Sequence, residues 1–186
     1  MTILVSIHKG NGEKMGIFFY GCITLDGYLA DKNHGLDWLH QCGTTEETDY
    51  EDFYRRMDIT IMGSRTFREI ARLEHPEDIY PTTQNYVFTH SPQPPRAGIH
   101  FVNGDVVEFV KQFDIAKNIW VIGGNTVLSP LLEENLVDYL IVQIAPVLLG
   151  DGIPLFTQGE ALRQFRLDKV KQYGPFAELV YSRADG

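Results

Sequence analysis

The 186-residue chain has little cysteine, only Cys22 and Cys42. They form no C-x-x-C pair and no zinc-type spacing, so two free thiols in a reducing cytoplasm are expected. The six histidines show no H-x-x-x-H pattern, and no metal site is expected. Long apolar runs are missing as well. The longest, residues 139–149, is interrupted by Gln143 and Pro146 and is too short to cross a bilayer. Positive charge is scarce: 16 Lys and Arg face 25 Asp and Glu, a formal net charge of −9. That balance argues against nucleic-acid and acidic-membrane partners. It leaves an anionic small ligand open, because backbone amides hold anions locally. Repeats, low-complexity segments and linkers are absent. The remaining composition, 44% hydrophobic and 22% charged, suits one soluble domain with a sizeable core.

What the chain does have is a strand–glycine–helix junction at residues 118–128. Ile119 to Ile122 is short, apolar and β-branched, the pattern of a strand buried on both faces. It stops at Gly123 and Gly124. Asn125 and Thr126 follow as capping residue types, and Val127, Leu128, Leu131 and Leu132 give helical periodicity. A helix starting after glycines presents free N–H groups and the positive end of its dipole, which suits a phosphate. The competing reading is a tight turn with no ligand.

A second such junction lies at Gly63-Ser64-Arg65-Thr66, between a strand over 58–62 and a helix carrying Phe67, Ile70 and Ala71. It adds a guanidinium and two hydroxyls to a second helix start. Two junctions in one chain point to a dinucleotide-sized ligand. Further strands are expected at 16–24, 85–89, 99–102 and 137–149, with Asp105 capping a helix that carries Val106, Phe109, Val110 and Phe113. A helix is expected from Thr44 or Thr45, with Glu46 and Glu47 in its first turn and an apolar face of Tyr50, Phe53, Tyr54 and Met57. Residues 25–31 and 153–158 read as turn and loop. The C-terminal alternation over 165–173 and 176–182, across Gly174-Pro175, reads as an antiparallel hairpin. Residues 1–14 read as a flexible N-terminal extension, with Met15 as the native start and the domain running over 15–186. The expected class is α/β, a three-layer αβα arrangement on a mixed sheet with parallel core and antiparallel edge.

From Met15 to about Arg183 this order of junctions resembles the dihydrofolate reductase-like superfamily. Four passages carry the resemblance: Thr24-Leu25-Asp26-Gly27-Tyr28-Leu29-Ala30, Ile61-Met62-Gly63-Ser64-Arg65-Thr66-Phe67, Val121-Ile122-Gly123-Gly124-Asn125, and Ile144-Ala145-Pro146-Val147-Leu148-Leu149-Gly150-Asp151-Gly152 with Pro154-Leu155-Phe156. The fourth is most similar to the reductase domain of the riboflavin-biosynthesis deaminase–reductase and its stand-alone relatives. The resemblance implies NADPH as cofactor. Gly63, Ser64, Arg65, Thr66, Gly123, Gly124, Asn125 and Thr126 would hold its phosphates, and Thr89, His90 and Ser91 its adenosine end. It also implies Asp49 as the proton-relay acid, four residues before the ring-packing Phe53, with Asp26 and Trp38 as further substrate contacts. If Asp49 faces the pocket, burial would raise its pKa.

Two departures bear on specificity. Ser64 stands where the family places an arginine for the 2′-phosphate, with Arg65 one position later. Residues 82–86 contain no arginine to grip a folate carboxylate, which argues against dihydrofolate. The implied activity is NADPH-dependent reduction of a small heterocycle, of the 5-amino-6-(5-phosphoribosylamino)uracil reductase type. A dihydrofolate or pterin reductase is one alternative. A non-catalytic dinucleotide-binding protein is another, in which the acidic run around Asp49 is a solvated face and Trp38 and Asp26 serve packing and a turn. No deaminase zinc motif is present, Arg163 and Arg166 are the nearest C-terminal basic residues, and the family's edge-strand pairing implies a homodimer.

Overall fold

The computed structural model describes residues 16–42, 48–73, 79–113, 117–157, 159 and 162–184. The expected extension over 1–14 and the expected helix start around Thr44 to Glu47 lie outside the described residues. In chain order the first half runs β1 (Gly16–Thr24), β2 (Tyr28–Asp31), α1 (Asp37–His40), α2 (Tyr50–Tyr54), β3 (Ile59–Gly63), α3 (Ser64–Leu73), β4 (Gln84–Phe88) and β5 (Ile99–Val102). The second half runs α4 (Val106–Val110), β6 (Asn118–Gly123), α5 (Asn125–Glu133), β7 (Tyr139–Ala145), β8 (Gly152–Pro154), β9 (Phe165–Tyr173) and β10 (Phe176–Arg183).

Eight strands form one sheet in the order β5-β4-β3-β6-β1-β7-β10-β9. Pairing is parallel from β5 through β7 and antiparallel for β7–β10 and β10–β9. This is the mixed sheet expected from near-continuous apolar strands followed by an alternating hairpin. Helices cover both faces. Val106, Val107 and Val110 of α4 and Val127, Leu128 and Leu131 of α5 pack on Ile17, Phe19, Ile59, Ile61, Ile119 and Val121. On the other face Phe53 of α2 packs against Phe18, Tyr20 and Trp120. Phe67 of α3 packs there against Met62 and Val87, and Trp38 of α1 against Ala145 and Phe176. Ile119 and Val121 are wholly buried, and each such side chain gains about 1.5–3 kcal/mol on leaving water.

Three local expectations are corrected. The strand read over 137–149 ends at Ala145. Pro146 cannot donate to a ladder, and the chain turns so that Val147 N–H donates to the Ala145 carbonyl at 2.8 Å. Residues read as turn and loop supply β2 and β8, which pair as a separate two-stranded sheet. Their contact is close enough that a Cβ on Gly152 would fall 2.4 Å from the Ala30 carbonyl oxygen. Gly124, not Asn125 or Thr126, is the N-cap of α5, and no side chain caps that helix. The Asp105 cap forms as expected, its carboxylate accepting from Val107 N–H at 2.7 Å and Glu108 N–H at 3.0 Å.

The wall between α3 and β4 hangs on one buried side chain. Asn85 Oδ1 accepts from the Thr60 and Thr83 hydroxyls at 2.6 and 2.9 Å. Its Nδ2 donates to the carbonyls of Ile79, Tyr80 and Gly98 at 3.1–3.2 Å. Asn85→Leu keeps the volume and strands these partners, each costing on the order of 1–3 kcal/mol when buried and unpaired. The variant is expected to lose about 3 kcal/mol or more in urea unfolding. A loss below about 1 kcal/mol would mean that Asn85 does not organise this wall.

Candidate active site

The parallel strands β1, β6, β3 and β4 present their carboxyl ends along one edge of the sheet, where open α/β sheets bind ligands. β6 ends in Gly123, whose φ of 143° strongly favours glycine. α5 begins at the next residue but one. Without a side-chain cap its first N–H groups face outward. α3 begins at Ser64, directly after Gly63. The two helix starts are neighbours: a Cβ on Gly63 would lie 3.6 Å from Val127 Cγ2 and 4.0 Å from the Gly124 nitrogen. The Thr66 hydroxyl lies 3.8 Å from the Cβ positions of both Gly123 and Gly124.

These pieces open on one cleft of about 710 Å³, within the range of cofactor sites. Its walls include Gly63, Ser64, Arg65, Thr66, Thr89, His90, Gly123, Gly124, Asn125 and Thr126. The structure therefore brings together all but one of the residues expected to hold a dinucleotide. Ser91 stays outside, its N–H donating to the Thr89 hydroxyl and its carbonyl accepting from it. Arg65 is exposed at the rim, and no described residue forms an ion pair with it. At the β1 end the lining changes to Gly21, Cys22, Leu29, Ala30, His34 and Leu36. Burial, followed by the nearby Cys42, pushes the Cys22 thiol up to about 12, so it stays neutral at neutral pH.

The four residues expected on the substrate side lie outside this lining. Asp26 clasps two loops: its carboxylate accepts from the Thr24 hydroxyl at 2.5 Å and from the N–H groups of Leu149 and Gly150 at 3.3 and 2.7 Å. The Thr24 hydroxyl leads in holding its pKa below the ordinary value, with the two amides adding to it. Phe53 is buried under α2, stacked on Tyr20 at 4.9 Å. Trp38 is buried behind Cys22 and Leu39. Among the described residues its indole Nε1 has no hydrogen-bond partner. Asp49 sits at the start of α2 and is bonded to Lys171, with Lys169 3.6 Å away. Partial burial raises its pKa, but the bond and charge of Lys171 and the charge of Lys169 outweigh it, and the net shift is downward. The upward shift expected for a pocket-facing acid does not occur, because two ammonium groups surround the carboxylate. Arg163 donates to the Leu132 and Glu133 carbonyls, and Arg166 bonds Asp168 and Ser182; neither lines the cleft.

Sequence reasoning missed Cys22, His34, Glu69, Tyr80, Asn103 and Asp105, all in the lining. Apart from the capping aspartate Asp105, these residues singly carry no local signal. The strand-end rule alone points to 103–105, the segment after β5.

A mixed sheet with two glycine-led helix starts at its carboxyl edge is a dihydrofolate reductase-like fold. The chain belongs to the RibD C-terminal domain family, whose profile matches residues 17–178. It is 33% identical over 168 residues to the uncharacterized Bacillus subtilis protein YwjB, covering 89% of this chain and 96% of that one. A shorter match, 34% over 83 residues, joins it to a 5-amino-6-(5-phosphoribosylamino)uracil reductase of Buchnera aphidicola, covering 41% of this chain and 40% of that one. Among solved structures, a Shewanella sp. PV-4 protein described as a riboflavin biosynthesis protein superposes with a TM-score of 0.79 at 24% identity, over 92% of this chain and all of that one. Dihydrofolate reductase from Enterococcus faecalis, complexed with NADP(H), superposes with a TM-score of 0.61 at 12% identity, over 91% and 97% of the two chains.

The Asp49 cluster has a testable pH signature. A carboxyl whose folded pKa lies below its unfolded value adds stability above the unfolded value and loses it as pH falls through the folded one. Asp49→Asn is therefore expected to lower the melting temperature at pH 7 and to match the wild type near about pH 2. A difference of equal size at both pH values would show that charge is not what Asp49 contributes.

Proposed function

We propose that this chain is an NADPH-dependent reductase of a small heterocyclic substrate, of the 5-amino-6-(5-phosphoribosylamino)uracil reductase kind. One observation carries the reading: two helix starts and the Thr89–His90 turn share a single cleft that spans four adjacent strand ends. At strand spacing that is roughly 14 Å, room for two nucleotides rather than one. The cleft also fits a diphosphate chemically. At Gly124 the protein's own packing would tolerate a Cβ, since its nearest neighbour would be 3.8 Å away. The missing side chain thus leaves a cradle beside uncapped amides.

In this reading Gly123, Gly124, Asn125 and Thr126 hold the pyrophosphate on backbone N–H groups, and Ser64 and Thr66 add hydroxyls. Arg65 and His90 supply the positive rim for the 2′-phosphate, and the nicotinamide end lies toward Gly21 and Cys22. When bound, the reduced nicotinamide supplies a hydride. The chain's task is to orient the substrate at the β1 end, exclude water and provide a proton. A homodimer through β9, whose outer side exposes Leu167 and Val170, belongs to the same reading. One observation favours the rival class, a dinucleotide-binding protein without turnover: Asp49 is ion-paired away from the cleft.

Binding and turnover separate the two. At a hundredfold excess over Kd a ligand stabilises by about 2.7 kcal/mol, so NADPH is expected to raise the melting temperature clearly, and NADH less. Gly124→Val is expected to abolish the NADPH shift while the ligand-free protein melts near the wild-type temperature. Arg65→Ala should cost NADPH about tenfold more affinity than it costs NADH, a difference of about 1.4 kcal/mol. Absence of any dinucleotide shift in the wild type would overturn the reading. Binding without oxidation of NADPH in the presence of the ribosylaminouracil substrate or a dihydropterin would leave the rival.

A further inference from the structure

A reductase of the kind proposed above must protonate its substrate, and Asp49 is not placed to do so. The proton-bearing side chains that do line the cleft divide by position. His90 and Asp105 follow β4 and β5, at the opposite end from β1, and Asp105 caps α4. Glu69, on α3, has both carboxylate oxygens bonded by Arg72 at 2.9 Å. Tyr80 packs its ring on Trp120 at 5.0 Å and has a further interaction of its own. The Cys22 thiol, pushed up to about 12, is a poor proton donor. That leaves His34.

His34 is half-buried and lines the cleft, as do Ala30, Leu36, Leu39, Gly21 and Cys22. Its imidazole has no hydrogen-bond or ion-pair partner among the described residues. The loop that carries it is well fixed. Asp31 Oδ1 accepts from Asn33 N–H at 2.7 Å and Gly35 N–H at 2.8 Å, and the His34 N–H donates to the Asp31 carbonyl at 2.9 Å. A Cβ on Gly35 would fall 2.7 Å from Asp31 Oδ2, so a larger residue there would push the Asp31 carboxylate aside. His34 itself has a φ of 68°, a conformation that histidine and asparagine enter more readily than most residues. A hydrogen-bonded turn thus holds the His34 residue in the lining of the cleft.

The geometry points to His34 as the general acid of the reduction, a role resting on the reductase reading above. Reduction of a C=N or C=O group adds a hydride at carbon, drawn from the reduced dinucleotide of that reading, and a proton at nitrogen or oxygen. As the π pair moves onto the heteroatom, the His34 imidazolium gives up its N–H proton there. The imidazole then regains a proton from water, and the dinucleotide leaves oxidised by two electrons. Imidazole is the side chain whose ordinary titration spans neutral pH, which suits it to this exchange. The other titratable groups lining the cleft are Cys22 on β1, Arg65 and Glu69 on α3, Tyr80 ahead of β4, His90 and Asp105, and Asp31 stands on the loop of His34 itself.

The test uses the full chain with NADPH and two probes, 5-amino-6-(5-phosphoribosylamino)uracil and 7,8-dihydropterin. His34→Asn tolerates the positive φ, and His34→Gly removes its strain altogether, so both variants should fold. In both, the NADPH thermal shift is expected to stay at the wild-type value while kcat falls about a hundredfold. The wild-type pH–rate profile should contain a limb that both variants lose, and added imidazole should restore part of the His34→Gly rate. Independently of turnover, diethyl pyrocarbonate labelling of His34, read by peptide mass spectrometry, should be blocked by the turned-over probe. Labelling of His100 on β5 should not change. Unchanged kcat and pH profile in the variants, or His34 labelling indifferent to the probe, overturns the assignment and leaves the reductase reading standing. Wild-type protein that binds NADPH yet reduces neither probe overturns both.

Discussion

The cleft depends on where β6 is inserted. It is the last strand of the parallel core before the chain crosses to the far side of β1, yet it is hydrogen-bonded between β1 and β3. That position forces Ile119 and Val121 into complete burial and puts the Gly123-Gly124 turn between the ends of β1 and β3, at Thr24 and Gly63. Were β6 at an edge, the same glycines would make an exposed turn beside solvent. Between β1 and β3 they bring the start of α5 against the start of α3, and both helix starts open on one cleft. The net charge of −9 does not by itself exclude an anionic ligand there, because helix amides act at contact range while the global field is screened by salt.

The frame around the cleft is held by buried polar contacts as well as by apolar packing. Tyr20 on β1, Gln143 on β7 and Glu178 on β10 meet within the sheet layer, with Gln143 Nε2 donating to Tyr20 Oη at 2.9 Å and to Glu178 Oε2 at 3.0 Å. Burial and then the Glu178 carboxylate push the Tyr20 hydroxyl well above the ordinary tyrosine range, so it remains a donor. Such a network ties the parallel half of the sheet to its antiparallel half, since an unpaired carboxylate at that depth would be costly. Asp26 does similar work outside the cleft lining, joining the loop after β1 to the loop after β7. Both devices use residues whose types alone suggest catalysis, and both are spent on holding elements in place.

What was legible in the sequence follows from periodicity and punctuation. The β1 limits and the Asp105 cap come through because an apolar run and a capping aspartate are local signals. The glycine-led junctions were legible for the same reason. The expectations that shifted depend on contacts between distant segments. β2 and β8 are too short to show a pattern and exist only because they pair with each other. Asp49 stands at the right distance from Phe53 along the chain. Which way it points is set by Lys169 and Lys171 on a strand some 120 residues later.

The sequence by itself determined the α/β class, the two helix starts and the likeness to a nicotinamide-using fold, since each rests on neighbours within about ten residues. Only the tertiary structure decided which polar side chains face the cleft and which are consumed as clasps. The reason is that a side chain's direction depends on sheet order and on the charges that other strands bring alongside it. His34 and Asp49 show this from opposite sides. One is an unremarked loop histidine that the β2 turn lifts into the cleft, and the other is an expected acid that two lysines hold away from it.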